Sequence, residues 1–262
     1  VGTFHSLCYR LLARSGTELS LADQGQAEEC AVETIEALEL PCTVRQFLTA
    51  ISLHKAGLSS AQGFAAYMAD DSAAETGFTL TQEGADRYQQ ALECRKLMDF
   101  DDLLLNMLRL LEQKAEYRKQ HFSYLLVDEF QDISPVQYRL IKAWNKGGRE
   151  LFVIGDPDQS IYGFRGSDSH CFDLLEQDFP GTSTIRLTTG YRSTPEILAV
   201  ANDLIAKNKN RVEKNLAAQN PDGPLPVYHH APTNKLEAEW IANEIHNLVD
   251  HGAKYSDVAI LY

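Results

Sequence analysis

The sequence predicts an α/β fold: an incomplete parallel sheet interrupted by an all-helical block, with the beginning of a second α/β unit after it. Two short apolar runs, Tyr124 to Val127 and Leu151 to Ile154, each end in an acidic or Gly-Asp turn and enclose a helix-like stretch, Val136 to Trp144. Strand, turn, helix, strand is the pattern of a parallel sheet whose functional groups collect at the carboxyl ends of its strands. From Leu21 to about Leu97 the apolar positions keep helical spacing instead. After residue 187 the strand and helix patterns alternate once more.

Thr3 is suited to cap a helix continuing through Phe4, Leu7, Cys8, Leu11 and Leu12, which repeat at helical spacing. The helical block follows, with Ala31, Ile35, Leu38, Phe47, Ile51, Phe64 and Tyr67 as its apolar positions and Pro41, Gly57 and Gly77 as its interruptions. Met98 to Leu111 forms another amphipathic helix, with Asp99, Asp101 and Asp102 in a first turn where the helix dipole favours negative charge. Beyond the two central strands, Leu187 to Thr194 makes a strand-to-turn unit and Pro195 starts a helix through Ala206. After the Pro/Gly/Asn-rich stretch Asn220 to Pro226 come a strand (Val227 to His230), a helix (Lys235 to Val249) and a last strand (Val258 to Tyr262). Ending on an apolar strand, this second α/β domain is expected to be present only in part.

The chain's 262 residues exceed the usual single-domain size, and 44% hydrophobic content suffices for real cores. The net charge of −13 argues against a protein that coats nucleic acid, which needs clustered Lys and Arg. Any DNA contact must therefore be local, as in motors that grip single strands by base stacking. The five cysteines form no CxxC pair, so neither zinc nor a disulfide framework is suggested, and an intracellular, cytoplasmic setting fits. No apolar run approaches the roughly 18 residues of a membrane span, and the amino terminus lacks signal-peptide regions.

The sharpest chemical signal is LLVDEFQD, Leu125 to Asp132. A buried strand delivering Asp128 and Glu129 at its end offers one carboxylate to hold Mg²⁺, directly or through water, and a second to orient or deprotonate an attacking water. A bare Asp-Glu pair could equally be a solvated acidic turn; Gln131, Asp132 and the apolar run favour function. The second signal is IGDPDQSIYGFRGSD, Ile154 to Asp168, in which Gly155 allows a tight exit and Gln159 offers an amide to a terminal phosphate. Tyr162, Phe164 and Arg165 there interleave aromatic faces with a cation, the equipment of sequence-tolerant single-strand binding, although such rings standing singly are more often core. In LTTGYRSTPEI, Leu187 to Ile197, Arg192 could act as an arginine finger and Tyr191 could stack on a base. The plainer alternative gives Arg192 an ion pair and makes Ser193 a helix cap.

In order and spacing, TFHSL (from Thr3), DFDDLL (from Asp99), VDEFQD, GDPDQSIYGFRG and YRS resemble superfamily 1 DNA helicases of the UvrD/Rep/PcrA type, and the likeness covers nearly the whole chain. The resemblance implies a RecA-like, P-loop NTPase-type sheet: residues 1–15 and 98–186 in a first RecA-like domain, 16–97 as an inserted helical subdomain, and 187–262 as the start of a second RecA-like domain. It implies ATP and Mg²⁺ as cofactors, with single-stranded DNA and junctions of single- and double-stranded DNA as partners. By the same resemblance Asp128 holds the metal, Glu129 is the catalytic base, Gln159 couples the γ-phosphate to DNA, Arg192 is the γ-phosphate finger and Tyr191 the adenine-stacking ring. Phe4, His5, Tyr162, Phe164 and Arg165 fall where the family touches single-stranded DNA.

Four departures qualify the likeness. No GxxGxGKT-type loop occurs in the chain, and the family's later motifs do not follow, so an interior piece that alone hydrolyses no ATP is expected. Gly190 stands where the family has Asn before Tyr-Arg-Ser, adding backbone freedom near Arg192, and Phe164 stands where many members have Trp. A non-catalytic DNA- or protein-binding module derived from this fold, and a parent fused to a nuclease, remain the competing readings.

Overall fold

The computed structural model describes residues 1–58, 78–113, 122–146, 150–160, 171–208 and 214–261. The chain divides into two compact units, Val1–Thr184 and Ile185–Tyr262.

The first unit opens with helix α1, Phe4–Arg14, whose first turn is capped by Thr3 accepting from the Ser6 amide. Three helices of the helical block follow: α2, Gln24–Ala37; α3, Val44–Leu53; and α4, Gln82–Cys94. Asp23 and Thr43 each close a reciprocal capping box, and Thr81 caps α4, so local side chains satisfy amides that a helix start leaves open. A π-type turn, His54–Leu58, follows α3 and contains Gly57 with φ 91°, a conformation that suits a residue without Cβ. Phe47, Ala50 and Ile51 of α3 meet Cys30 and Ala31 of α2, Tyr88 and Leu92 of α4, and Phe78 in a core of their own. Phe64, Tyr67 and Gly77 lie outside the described residues. The block's two ends meet: the Ala22 amide donates to the Met98 carbonyl and the Met98 amide to the Ser20 carbonyl, each at 2.9 Å.

Helix α5, Phe100–Gln113, then runs against α1, and its Leu103, Leu104, Met107, Leu108 and Leu111 pack with Cys8, Leu12, Val136, Leu140 and Trp144. It starts two residues after the expected Met98. Asp99 precedes it and accepts from the Asp102 amide, while Asp102 accepts from the Asp99 amide. Strand β1, Tyr124–Val127, pairs in parallel with β2, Glu150–Val153, in the register Leu125 to Leu151 and Val127 to Val153. Between them, helix α6, Pro135–Asn145, has Pro135 in its first turn and a Ser134–Gln137 capping box. A third core gathers Val127, Phe130, Ile133, Tyr138, Ile141, and Cys171 and Leu175 of helix α7, Cys171–Asp178.

The second unit holds a short parallel pair, β3 (Thr189–Gly190) with β4 (Ala217–Ala218), and helices α8, Pro195–Ile205, and α9, Asn234–Asp250. In the strand-to-turn unit expected at 187–194 the strand is two residues long, and the strands expected at 227–230 and 258–262 are not formed among the described residues. Extended chain becomes a strand only when a neighbour completes its ladder of hydrogen bonds, and no such neighbour pairs with these segments here. The cysteines are free, and burial pushes the Cys8 thiol up to about 12, which keeps it unreactive. Among the described residues no helix is long and apolar enough to cross a membrane.

Candidate active site

β1 delivers Asp128 and Glu129 at its carboxyl end, and the backbone turns sharply there. Glu129 adopts φ 50°, ψ 45°, left-handed space that costs a non-glycine residue on the order of 1 kcal/mol or more. The turn is held by three bonds: the Glu129 amide donates to Asp128 Oδ1 (3.0 Å), the Phe130 amide to the Ile154 carbonyl (2.9 Å), and the Ile154 amide to the Val127 carbonyl (2.8 Å). The Phe130 ring is fully buried, edge-on to Phe172 and Tyr138, and the Cys171 thiol donates to its carbonyl. Packing on one side thus presents both acids on the other.

Gln131, 1% exposed, joins this turn to the one after β2. Its Nε2 donates to Glu129 Oε2 at 2.7 Å and, more weakly, to Asp132 Oδ2 at 3.4 Å. Its Oε1 accepts from the Asp156 amide at 3.0 Å. Asp156 in turn accepts at Oδ2 from Gln159 Nε2 at 2.8 Å and at Oδ1 from the Asp158 amide at 3.0 Å. Glu129 and Gln159 therefore belong to one hydrogen-bonded chain running Glu129, Gln131, Asp156, Gln159. The Ser160 hydroxyl adds a bond to the Gln131 carbonyl at 3.3 Å.

Gly155 serves this linkage by its lack of a side chain rather than by freedom to turn. A Cβ there would stand 2.6 Å from Gln131 Oε1, 2.9 Å from Phe172 Cζ and 3.0 Å from the Phe130 amide nitrogen. The sequence marked Gln131 only as a neighbour of the acids. An amide set between carboxylates at the end of an apolar strand was the available signal, but its partner Asp156 lies 25 residues on.

Asp128 is exposed and spends Oδ1 on the Glu129 amide. Its other oxygen is a hard ligand of the type Mg²⁺ accepts from a single carboxylate when waters and phosphates complete the shell. The described residues contain no group of three or more His, Cys, Asp or Glu side chains placed to hold a metal ion. Asp132 is raised above the ordinary carboxyl range, first by loss of water and then by the charge of Glu129. Its Oδ1 is buried without a hydrogen-bond partner among the described residues.

The sequence-derived DNA residues fall in different settings. Phe4 stacks on Trp144 with ring centroids 5.9 Å apart, so one face of its ring is spent on the core. His5 is half-buried and edge-on to Phe100, and burial lowers its pKa, favouring the neutral imidazole. It lines a cavity of about 360 Å³ together with Lys55, Asp101, Asp132 and Gln137. Tyr162, Phe164 and Arg165 lie outside the described residues.

Tyr191 and Arg192 belong to the second unit and are exposed. Asn220 Nδ2 holds this turn by donating to the Tyr191 and Arg192 carbonyls at 3.2 and 3.0 Å. Arg192 makes no ion pair among the described residues, and Thr194 rather than Ser193 takes the cap position of α8. Gly190 is a paired strand residue whose absent Cβ leaves room for Leu198 Cδ1, 3.0 Å from where that atom would be. Here the substitution relieves packing and leaves the backbone of the Arg192 turn constrained by the β3–β4 ladder.

Residues 1–180 match the UvrD/REP helicase N-terminal domain and residues 185–262 the UvrD-like helicase C-terminal domain. The whole chain is 34% identical to the ATP-dependent DNA helicase PcrA of Staphylococcus epidermidis and to that of Staphylococcus aureus. It spans 37% of the length of these relatives.

Proposed function

The chain belongs to the UvrD/REP helicase family, and on that premise we propose that it carries the water-activating part of the ATPase site of a DNA helicase. That helicase moves 3′ to 5′ along single-stranded DNA and separates duplex at single-strand/double-strand junctions. Asp128 would hold Mg²⁺, directly or by way of a water. When bound, Mg²⁺·ATP supplies the phosphoryl group and the charge that offsets its developing negativity. Glu129 orients the attacking water and takes its proton, and Gln159 contacts the terminal phosphate. Arg192 steadies that phosphate as a cationic finger, and Tyr191 stacks on adenine. The first turn of α1, with Phe4 and His5, and the segment carrying Tyr162, Phe164 and Arg165 grip the DNA strand.

The carrying observation is the hydrogen-bonded chain from Glu129 through Gln131 and Asp156 to Gln159, which groups a carboxylate and an amide at the carboxyl ends of two paired parallel strands. In an open parallel sheet this is where ligands bind. The domain assignment follows the same reading: 1–15 and 98–186 form a RecA-like domain, 16–97 an inserted helical subdomain, and 187–262 belong to a second RecA-like domain. The backbone pairing of Ser20 and Ala22 with Met98 supports the insertion, because chain leaves and rejoins at one place.

The test is single-stranded-DNA-stimulated ATP hydrolysis by the full-length protein. Glu129→Gln is expected to lower kcat on the order of a hundredfold or more, as loss of a general base does. Undiminished turnover by that variant removes Glu129 as base. Purified on its own, the 262-residue chain is expected to hydrolyse ATP negligibly, since none of its segments has the GxxGxGKT pattern of a phosphate cradle.

A further inference from the structure

A glutamine that is 1% exposed is an expensive way to fill space, because a buried amide must be hydrogen-bonded at both ends to offset its lost hydration. Met would fill a similar volume with no such demand. What the amide adds is direction. The Asp156 amide can only donate, so the end of Gln131 that it meets at 3.0 Å must be Oε1. Nε2 is thereby turned toward Glu129 Oε2, 2.7 Å away, which as a carboxylate can only accept. The orientation of Gln131 is dictated by its partners. An amide that accepts at oxygen also donates more strongly at nitrogen, so the two bonds reinforce one another.

The neighbourhood is built around this pair of bonds. Gly155 keeps clear the space into which a Cβ would intrude, 2.6 Å from Gln131 Oε1, and the Ser160 hydroxyl holds the Gln131 backbone carbonyl. Glu129, in left-handed backbone space, has its side chain pinned by a bond from only two residues away. The acceptor side of Gln131 reaches the turn Asp156–Gln159, in which Asp156 binds Gln159 Nε2.

Resting on the reading of this site as an ATPase centre, we infer that Gln131 is a positioning residue for hydrolysis. It holds the Glu129 carboxylate in its water-activating pose and ties that pose to the turn bearing Gln159. A displacement of Gln159 by the terminal phosphate or by DNA is then transmitted through Asp156 and Gln131 to the base.

The experiment compares steady-state ATP hydrolysis, with and without single-stranded DNA, by the full-length protein and its Gln131→Met and Gln131→Glu variants. Met removes both bonds; Glu keeps an acceptor for the Asp156 amide and offers Glu129 no donor. Both variants are expected to lose roughly tenfold to a hundredfold in kcat, the cost of a misplaced catalytic group, with KM for ATP unchanged within about twofold. The Met variant, which cuts the tie to Asp156, is expected to lose more of its DNA stimulation than the Glu variant. A kcat within about twofold of wild type in either folded variant overturns the inference, as does a rise in KM at constant kcat. An inactive wild type instead overturns the ATPase reading, and the inference with it. Should neither variant fold, exchange of the Gln131 side-chain amide protons in the wild-type protein decides: they are expected to exchange at least about tenfold more slowly than those of an exposed glutamine. Exchange at the exposed rate overturns the inference.

Discussion

Gly155 and Gln131 show how one missing atom sustains a polar contact. With Phe172 Cζ at 2.9 Å and a backbone nitrogen at 3.0 Å from the position of an added Cβ, neither neighbour is a free-swinging chain end. Gly155→Ala is therefore expected to destabilise the protein by about 1–3 kcal/mol, the usual cost of overpacking, read as a shift of the urea midpoint. A midpoint unchanged by the substitution would mean that the β2 turn yields without cost. Asp128 and Glu129 were legible as a candidate pair because an apolar run ending in acids is a local pattern. The linking role of Gln131 was not, because its bond from the Asp156 amide is set by folding that brings residue 156 to residue 131.

At the level of elements, the acids leading into α5 do more than complement a helix dipole. Lys55, from the turn after α3, reaches Asp99 at 2.7 Å and Asp102 at 2.9 Å, with all three side chains largely buried. Its ammonium also lies 5.5 Å from the centre of the Tyr88 ring of α4, so the helical block is fastened to α5 by charge as well as by apolar contact. Asp101 stands beside this cluster and lines the same cavity as Lys55. Loss of water raises its pKa from 3.8 to about 6, and a Ser52 hydrogen bond offsets only part of this. An acid with a raised folded-state pKa binds its proton more tightly in the folded state, so its contribution to stability is full below about 4 and lost as pH rises through about 6. Asp101→Asn is expected to gain about 1–3 kcal/mol on wild type above pH ~7, with the gain vanishing below pH ~4 in urea unfolding followed across pH. A difference that stays constant with pH would assign the effect to packing.

Across the whole chain, the two units differ in how much they bury. The first carries three apolar clusters, whereas in the second Leu198 alone is buried among the described hydrophobic residues. Ile185, Leu187, Val227 and Tyr228 are each more than three-quarters exposed. Amide hydrogens of the second unit, α8 and α9 included, are expected to exchange through local opening well before the α1, α5 and α6 amides of the first. Exchange of both units in one cooperative step would show that they fold as one.

Composition, periodicity and motif order sufficed for the family, the α/β class, the central strand-helix-strand and the helices flanking it, because capping residues and apolar spacing act over a few neighbouring positions. Among the described residues the strands expected at 227–230 and 258–262 did not follow, since a strand is completed by a partner and an extended apolar segment cannot supply one for itself. Tertiary structure alone decided that Lys55 neutralises Asp99 and Asp102 across 44 and 47 residues, and that Gln131 links Glu129 to the Gln159 turn. The Lys55 bonds and the bond from the Asp156 amide join residues distant in the chain, and their strength comes from the water that folding removes.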